Sequence, residues 1–182
     1  IVETMGRYAG WIALEAGMAG AADVILLPER PYDIETVARH CGERESVQGY
    51  TIICVAEGAH ARDAGITVQA RLADSPDPVR LGGIGNVLRE QLQQRLGSEV
   101  RSTQLGHVQR GGSPTAFDRV LATRFGYHAA QLVAQGRYGR MVALEGNTCT
   151  DVPLGDVAGR NRLVPLDHPL LRAAQGLGIC LG

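Results

Sequence analysis

Apolar residues in this chain recur in two alternating rhythms, one helical and one extended. Trp11, Ile12, Ala16, Ala19 and Ala22 fall at helical spacing and predict a helix over 8–22. Gly10, Gly17 and Gly20 each cost it up to about 1 kcal/mol relative to Ala, and suit close packing against a sheet. The continuous apolar run at 23–29, ended by Pro28, predicts a strand covered on both faces. Asp33 suits an N-cap for a helix over 34–44, where Ile34, Val37, Ala38 and Cys41 share one side. A second buried strand is expected over 50–56, running into Glu57-Gly58, and 59–81, with Pro76 and Pro78, reads as a long surface loop. Ile84, Val87, Leu88, Leu92 and Leu96 define another helix, stopped by Gly97. After a strand-like stretch at 100–105, Ser113 stands as N-cap and Pro114 as first residue of a helix whose stripe is Phe117, Val120, Leu121, Phe125, Ala129 and Leu132. One more strand is expected at 140–144, with weaker helical patterns near 154–159 and 169–176. Strands alternating with helices predict an α/β fold with a mainly parallel sheet flanked by helices.

Composition narrows the field without naming a function. The 182 residues are 45% hydrophobic, enough for a packed core, and 18 basic against 19 acidic residues leave a formal net charge of -1. Such a balance gives no global basic field for nucleic acid or an anionic membrane, so any anion site must be local. Cys41, Cys54, Cys149 and Cys180 lack zinc or disulfide spacing and fit a reducing compartment. No apolar run approaches the roughly 20 residues of a membrane span, and no signal peptide is visible. The expected location is cytoplasmic. The sequence starts at Ile1, inside a strand-like run, so the chain is expected to be a fragment.

Two strand-to-helix junctions hold the chemistry. At 105–119 a glycine pair, Gly111-Gly112, precedes a helix N-terminus, while the turn delivers His107 and Arg110. Cationic side chains, a permissive backbone and a helix start describe an anion pocket, most naturally for phosphate. At 4–11, Gly6 and Arg7 stand at another helix mouth, and Glu57 follows the strand at 50–56. Functional groups of parallel sheets gather at the carboxyl ends of strands, so all of these are expected to face one crevice.

Met-Gly-Arg-Tyr-Ala-Gly at 5–10 and Leu-Gly-His-Val-Gln-Arg-Gly-Gly-Ser-Pro at 105–114, with Asp118-Arg119 behind, closely resemble 6-phosphofructokinases of the bacterial type. The likeness extends through 22–29 and 55–58. It implies the C-terminal part of a two-domain fold: 1–109 as an N-terminally truncated fructose 6-phosphate-binding domain, 110–150 as a segment returning to the donor-binding domain, and 151–182 as a C-terminal tail. Carried over by residue, it implies that Met5, Gly6 and Arg7 line the site near the sugar and the transferring phosphoryl group. Glu57 would accept hydrogen bonds from sugar hydroxyls, and His107, Arg110 and Arg101 would hold the 6-phosphate. In the bacterial enzymes the counterpart of Arg101 reaches in from a neighbouring subunit, which implies a homodimer or homotetramer. The implied reaction moves a phosphoryl group from ATP or diphosphate, with Mg2+, to the 1-hydroxyl of fructose 6-phosphate in glycolysis.

Two departures qualify the likeness. The family's Gly-Gly-Asp-Gly donor loop and Thr-Ile-Asp-x-Asp catalytic segment have no equivalent here, so no catalytic or metal-binding residue is assigned and the chain alone is expected to be inactive. The alternative reading, a non-catalytic regulatory domain that binds sugar phosphate, keeps the same residues. The family also implies allosteric control, with an acidic residue at the place of Asp23. Bacterial relatives, however, carry lysines where this chain has 42–50, with acids and the lone Arg44.

Overall fold

The computed structural model describes residues 1–65, 68–71 and 79–182. In chain order its elements are β1 (Val2–Thr4), α1 (Trp11–Ala19), β2 (Val24–Leu26), α2 (Ile34–Gln48), β3 (Ile53–Ala56), β4 (Val68–Arg71), β5 (Val79–Leu81), α3 (Ile84–Gln93) and β6 (Thr103–Gln104). A 3-10 turn, Gly106–Arg110, follows, and then α4 (Ala116–Ala134), β7 (Arg140–Glu145), β8 (Thr148–Pro153), α5 (Leu154–Val157) and α6 (Pro169–Gly176). They form two compact units, one of Ile1–Arg110 with Arg162–Gly182 and one of Gly111–Asn161. The last stretch of the chain is thus divided between the two.

The first unit is built on a parallel sheet in the order β2-β3-β1-β6. Alternation along its strands sends successive side chains to opposite faces. Val24 and Leu26 of β2 and Ile53 and Val55 of β3 pack with Val37 and Cys41 of α2 and Leu88 and Leu92 of α3. Ile25, Leu27, Cys54 and Ala56 turn the other way, against Ala13 and Leu14 of α1 and Leu171 and Ala174 of α6. Burial on both faces is why these strands read as unbroken apolar runs. Gly17 allows α1 its distance from the sheet, since a Cβ there would stand 2.6 Å from Ile25 Cγ1. At the outer side of β2, Cys180 is bonded on both its backbone groups, its N–H to Asp23 O and its O to Ile25 N–H, each at 2.9 Å.

One buried charged residue in this sheet breaks the apolar rule. Glu3 in β1 is 1% exposed, and its carboxylate accepts from Gly83 N–H (3.0 Å), Gly85 N–H (2.8 Å) and Gln104 Nε2 (3.0 Å). It therefore caps α3 from another element, where Gly83 offers no side-chain cap of its own.

Several element boundaries differ from the sequence expectation, each for a local reason. α1 begins only at Trp11, because the Gly10 N–H is held by the Glu29 carboxylate at 3.1 and 3.2 Å, and Ala21 leaves the helical region at φ 52°. α2 runs a turn past 44 to Gln48, where Gly49 ends it at φ 79°. β6 shrinks to two residues, since Val100 N–H is taken by Gln93 Oε1 rather than by the ladder. Within the stretch read as loop, β4 and β5 pair antiparallel; Pro76 and Pro78 lie outside the described residues.

In the second unit α4 starts at Ala116, not at Pro114. Its N-cap is Thr115 rather than Ser113, because Asp118 completes a capping box with Thr115 in both directions. The expected stripe is only half used: Leu132 is buried, Leu121, Phe125 and Ala129 are partly covered, and Phe117 and Val120 are 67% and 60% exposed. β7 and β8 form an antiparallel hairpin, whose second strand the sequence reading missed. Asp151 on β8 accepts from Arg140 Nε at 2.6 Å and pairs with Arg137 at 2.7 Å, with His128 Nε2 3.6 Å away. The Arg140 hydrogen bond leads in holding its carboxyl below the usual aspartate range.

Candidate functional site

β3, β1 and β6 lie side by side and parallel, so the loops that follow them leave the same edge of the sheet. Those loops carry Met5–Arg7, Glu57-Gly58 and Gly106–Arg110. The backbone joins them first: Glu57 N–H donates to Thr4 O at 2.9 Å, Gly58 N–H to Gly6 O at 3.1 Å, and Leu105 N–H to Glu3 O at 3.0 Å. Side chains then close the gaps. Gly6 N–H donates to Glu57 Oε1 at 3.3 Å, and Met5 N–H to Gln109 Oε1 at 2.7 Å.

Two glycines make this approach possible. Gly6 sits at φ 146°, and a Cβ there would be 2.9 Å from Ala9 O. At Gly58 a Cβ would fall 1.9 Å from Arg7 O, closer than any atom pair tolerates.

The resulting edge is electrically mixed in a useful way. Met5, Gly6, Arg7 and Glu57 are half-buried, and the Arg7 guanidinium lies 5.5 Å from the Tyr8 ring centre. His107 and Arg110 are exposed on the 3-10 turn, and neither has an ion-pair partner among the described residues. Glu57 commits one oxygen to Gly6, and its other oxygen has no hydrogen-bond partner among the described residues, which leaves it for a hydroxyl donor. Arg110 and His107, with no carboxylate partner among the described residues, suit an anion with several oxygens, and the carboxylate beside them suits neighbouring hydroxyls.

Six of the seven residues singled out from sequence meet at this edge. Arg101 does not. It lies before β6, where Ile1 N donates to its carbonyl at 2.7 Å, at the amino end of the sheet. There it is 83% exposed and paired with Glu99 at 2.9 Å. Gln109 was passed over, although its place between His107 and Arg110 was a usable signal.

Other polar groups are spent elsewhere in the first unit. Asp23 is buried, which by itself raises its pKa, yet the Ile52 N–H together with Arg44 and Gln48 holds it below the ordinary value. Arg44 sits 2.8 Å from that carboxylate. Burial pushes the Cys41 and Cys54 thiols up to about 12 and about 11, so neither is a ready nucleophile. Among the described residues no group of three or more His, Cys, Asp or Glu side chains could hold a metal ion. No helix among them is long and apolar enough to cross a membrane.

Comparison with known proteins gives a consistent answer. The family model described as Phosphofructokinase matches residues 1–133. The chain is 47% identical over 181 residues to an ATP-dependent 6-phosphofructokinase 2 of Clostridium perfringens, covering 98% of this chain and 50% of that protein. It is 48% identical over 164 residues to a pyrophosphate–fructose 6-phosphate 1-phosphotransferase of Streptomyces coelicolor, covering 90% of this chain and 48% of that protein. The chain thus spans about half the length of the curated relatives it matches. Among solved structures, a pyrophosphate-dependent phosphofructokinase from Nitrosospira multiformis superposes with a TM-score of 0.76 at 21% identity, over 98% of this chain and 47% of that one. Phosphofructokinase from Pichia pastoris in the T-state gives 0.67 at 35% identity, over 85% of this chain and 17% of that one.

Proposed function

Because the chain belongs to the phosphofructokinase family, we propose that the edge formed by the three loops is the fructose 6-phosphate site of a phosphotransferase. The enzyme would move a phosphoryl group from ATP or diphosphate to the 1-hydroxyl, giving fructose 1,6-bisphosphate in glycolysis. The observation that carries this reading is the convergence of Arg7, Glu57, His107 and Arg110 on loops bonded to one another through Gly6 and Gln109.

The roles follow from the chemistry of the ligand. Arg110 and His107 hold the 6-phosphate, whose near-double negative charge suits a guanidinium with paired donors. The free oxygen of Glu57 accepts from a sugar hydroxyl and sets the orientation of the ring. Met5 and Gly6 form the wall, and Arg7 faces the phosphoryl group in transit, where developing charge is best met by a preplaced cation. Arg101, at the other end of its strand, serves the site of a neighbouring subunit in a homodimer or homotetramer.

Mg2+ with ATP or diphosphate supplies the donor and neutralises its charge when bound. The described residues do not fit a resident Mg2+: the carboxylate at this edge is bonded to Gly6, and no acidic cluster accompanies it. No step of the transfer is therefore assigned to the metal here. The donor domain holds it, and residues 110–150 return to that domain; the apolar surface exposed on α4 by Phe117 and Val120 supports this. Relatives of both donor types are similar to this chain to nearly the same degree, 47% and 48%. ATP is the preferred donor and the cytoplasm the proposed location. Anionic allosteric control through 42–50 is disfavoured, because Arg44 is neutralised by Asp23.

Calorimetric titration with fructose 6-phosphate tests the assignment. Charge-assisted bonds of about 1.5–3 kcal/mol imply that Arg110→Ala weakens binding at least about tenfold. Binding left unchanged by both Arg110→Ala and His107→Ala would overturn it.

A further inference from the structure

We infer that Gln109 is a positioning residue of this site, one that couples the loop after β1 to the 3-10 turn after β6. The inference rests on the sugar-phosphate reading given above. β1 lies between β3 and β6, so its loop is flanked on both sides, and each flank sends one side-chain oxygen onto one of its amides. Glu57 Oε1 takes Gly6 N–H at 3.3 Å from the β3 side, and Gln109 Oε1 takes Met5 N–H at 2.7 Å from the β6 side.

The backbone ladder between β1 and β6 ends at Leu105 N–H to Glu3 O. Past that rung, the Gln109–Met5 bond fixes how the 3-10 turn sits against the loop. His107 and Arg110 belong to that turn, and Arg7 belongs to that loop, so one hydrogen bond sets the spacing among all three side chains. Anion recognition depends on that spacing, since a displacement of about 1 Å at a prearranged site already costs much of its effect.

The residue type suits the task. Glutamine reaches as far as glutamate and offers the same acceptor, but adds no negative charge beside an anion. Its NH2 group has no hydrogen-bond partner among the described residues and stays available as a further donor.

The test compares the chain with Gln109→Met, which keeps the length and loses the acceptor, and Gln109→Glu, which restores the acceptor. Amide exchange at Met5 is read without ligand, and inorganic phosphate and fructose 6-phosphate are titrated against the NMR signals of Arg7, His107 and Arg110. In Gln109→Met, Met5 exchange rises about tenfold, the His107 and Arg110 signals shift before any ligand is added, and affinity falls about tenfold, as for loss of one hydrogen bond. In Gln109→Glu, Met5 protection returns. Met5 exchange unchanged in Gln109→Met overturns the coupling. So does faster exchange with unaltered affinity, which marks a merely structural bond. A wild-type chain whose His107 and Arg110 ignore both ligands sinks the sugar-phosphate reading instead; the ligand-free shifts then decide the coupling, their presence sustaining it and their absence ending it.

Discussion

The two units of this protein form helices of similar quality by different means. In Ile1–Arg110 with Arg162–Gly182, α1 is only 9 residues long, yet Ala13, Leu14 and Gly17 are buried against the sheet. In Gly111–Asn161, α4 is 19 residues long and buries Leu132 alone. Its Thr115–Asp118 capping box and its length sustain it locally, whereas α1, short, flanked by Gly10 and Gly20 and without a side-chain cap, depends on what it packs against. Polar contacts carry much of the second unit: Asp151 gathers Arg137 and Arg140, and Arg124 is bonded to Asn147 O. Helix formation and core formation are therefore separable in this chain.

The sharpest way to break the contrast is to attack the first unit where its loops touch. Gly58→Ala puts a Cβ 1.9 Å from Arg7 O, and nothing but backbone can give way. Overpacking of this kind costs about 3 kcal/mol or more, so urea denaturation should show a loss on that scale together with loss of fructose 6-phosphate binding. A cavity comes next. Leu88→Ala, at a fully buried position on α3, should cost about 2–5 kcal/mol in the same measurement.

Acid separates the units by a different route. Asp23 in the first and Asp151 in the second both have pKa values lowered from 3.8. Each contributes stability in full above the unfolded value, and loses it as pH falls through the lowered folded value. With little apolar core behind Asp151, β7 and β8 should lose amide protection before β1 and β3 as pH is taken below 3.8. Simultaneous loss would show that the two units share one cooperative transition. The smallest effect belongs to Val120→Ala, a surface change on α4 expected to stay within about 0.5 kcal/mol. A cost near that of Leu88→Ala would mean that this face is covered.

The same division decides what could be read from sequence. The runs at 23–29 and 50–56 were legible because burial on both faces leaves no polar interruption. Phe117 and Val120 fit the helical period of Leu121 and Leu132, but period alone cannot say which apolar residues find a neighbour. Ser113 suits a cap by residue type, but it is Thr115 that Asp118 answers in both directions. β8, reading Thr-Cys-Thr-Asp-Val-Pro, has little apolar alternation and owes its form to β7. At the site, the residues that bear charge were legible by type and motif. Gln109 was marked only by its place between His107 and Arg110, because its role is a bond to a backbone amide 104 positions away.

One small feature reaches beyond the single molecule. Cys180 pairs with Val24 on the outer side of β2, bonding to Asp23 O and Ile25 N–H on either side of it. That border of the sheet is thereby sealed by the chain itself, and the opposite border is only the two-residue β6. A sheet so trimmed at both margins gives a second copy no row of amides on which to add strand to strand, and so resists the stacking that seeds insoluble fibres.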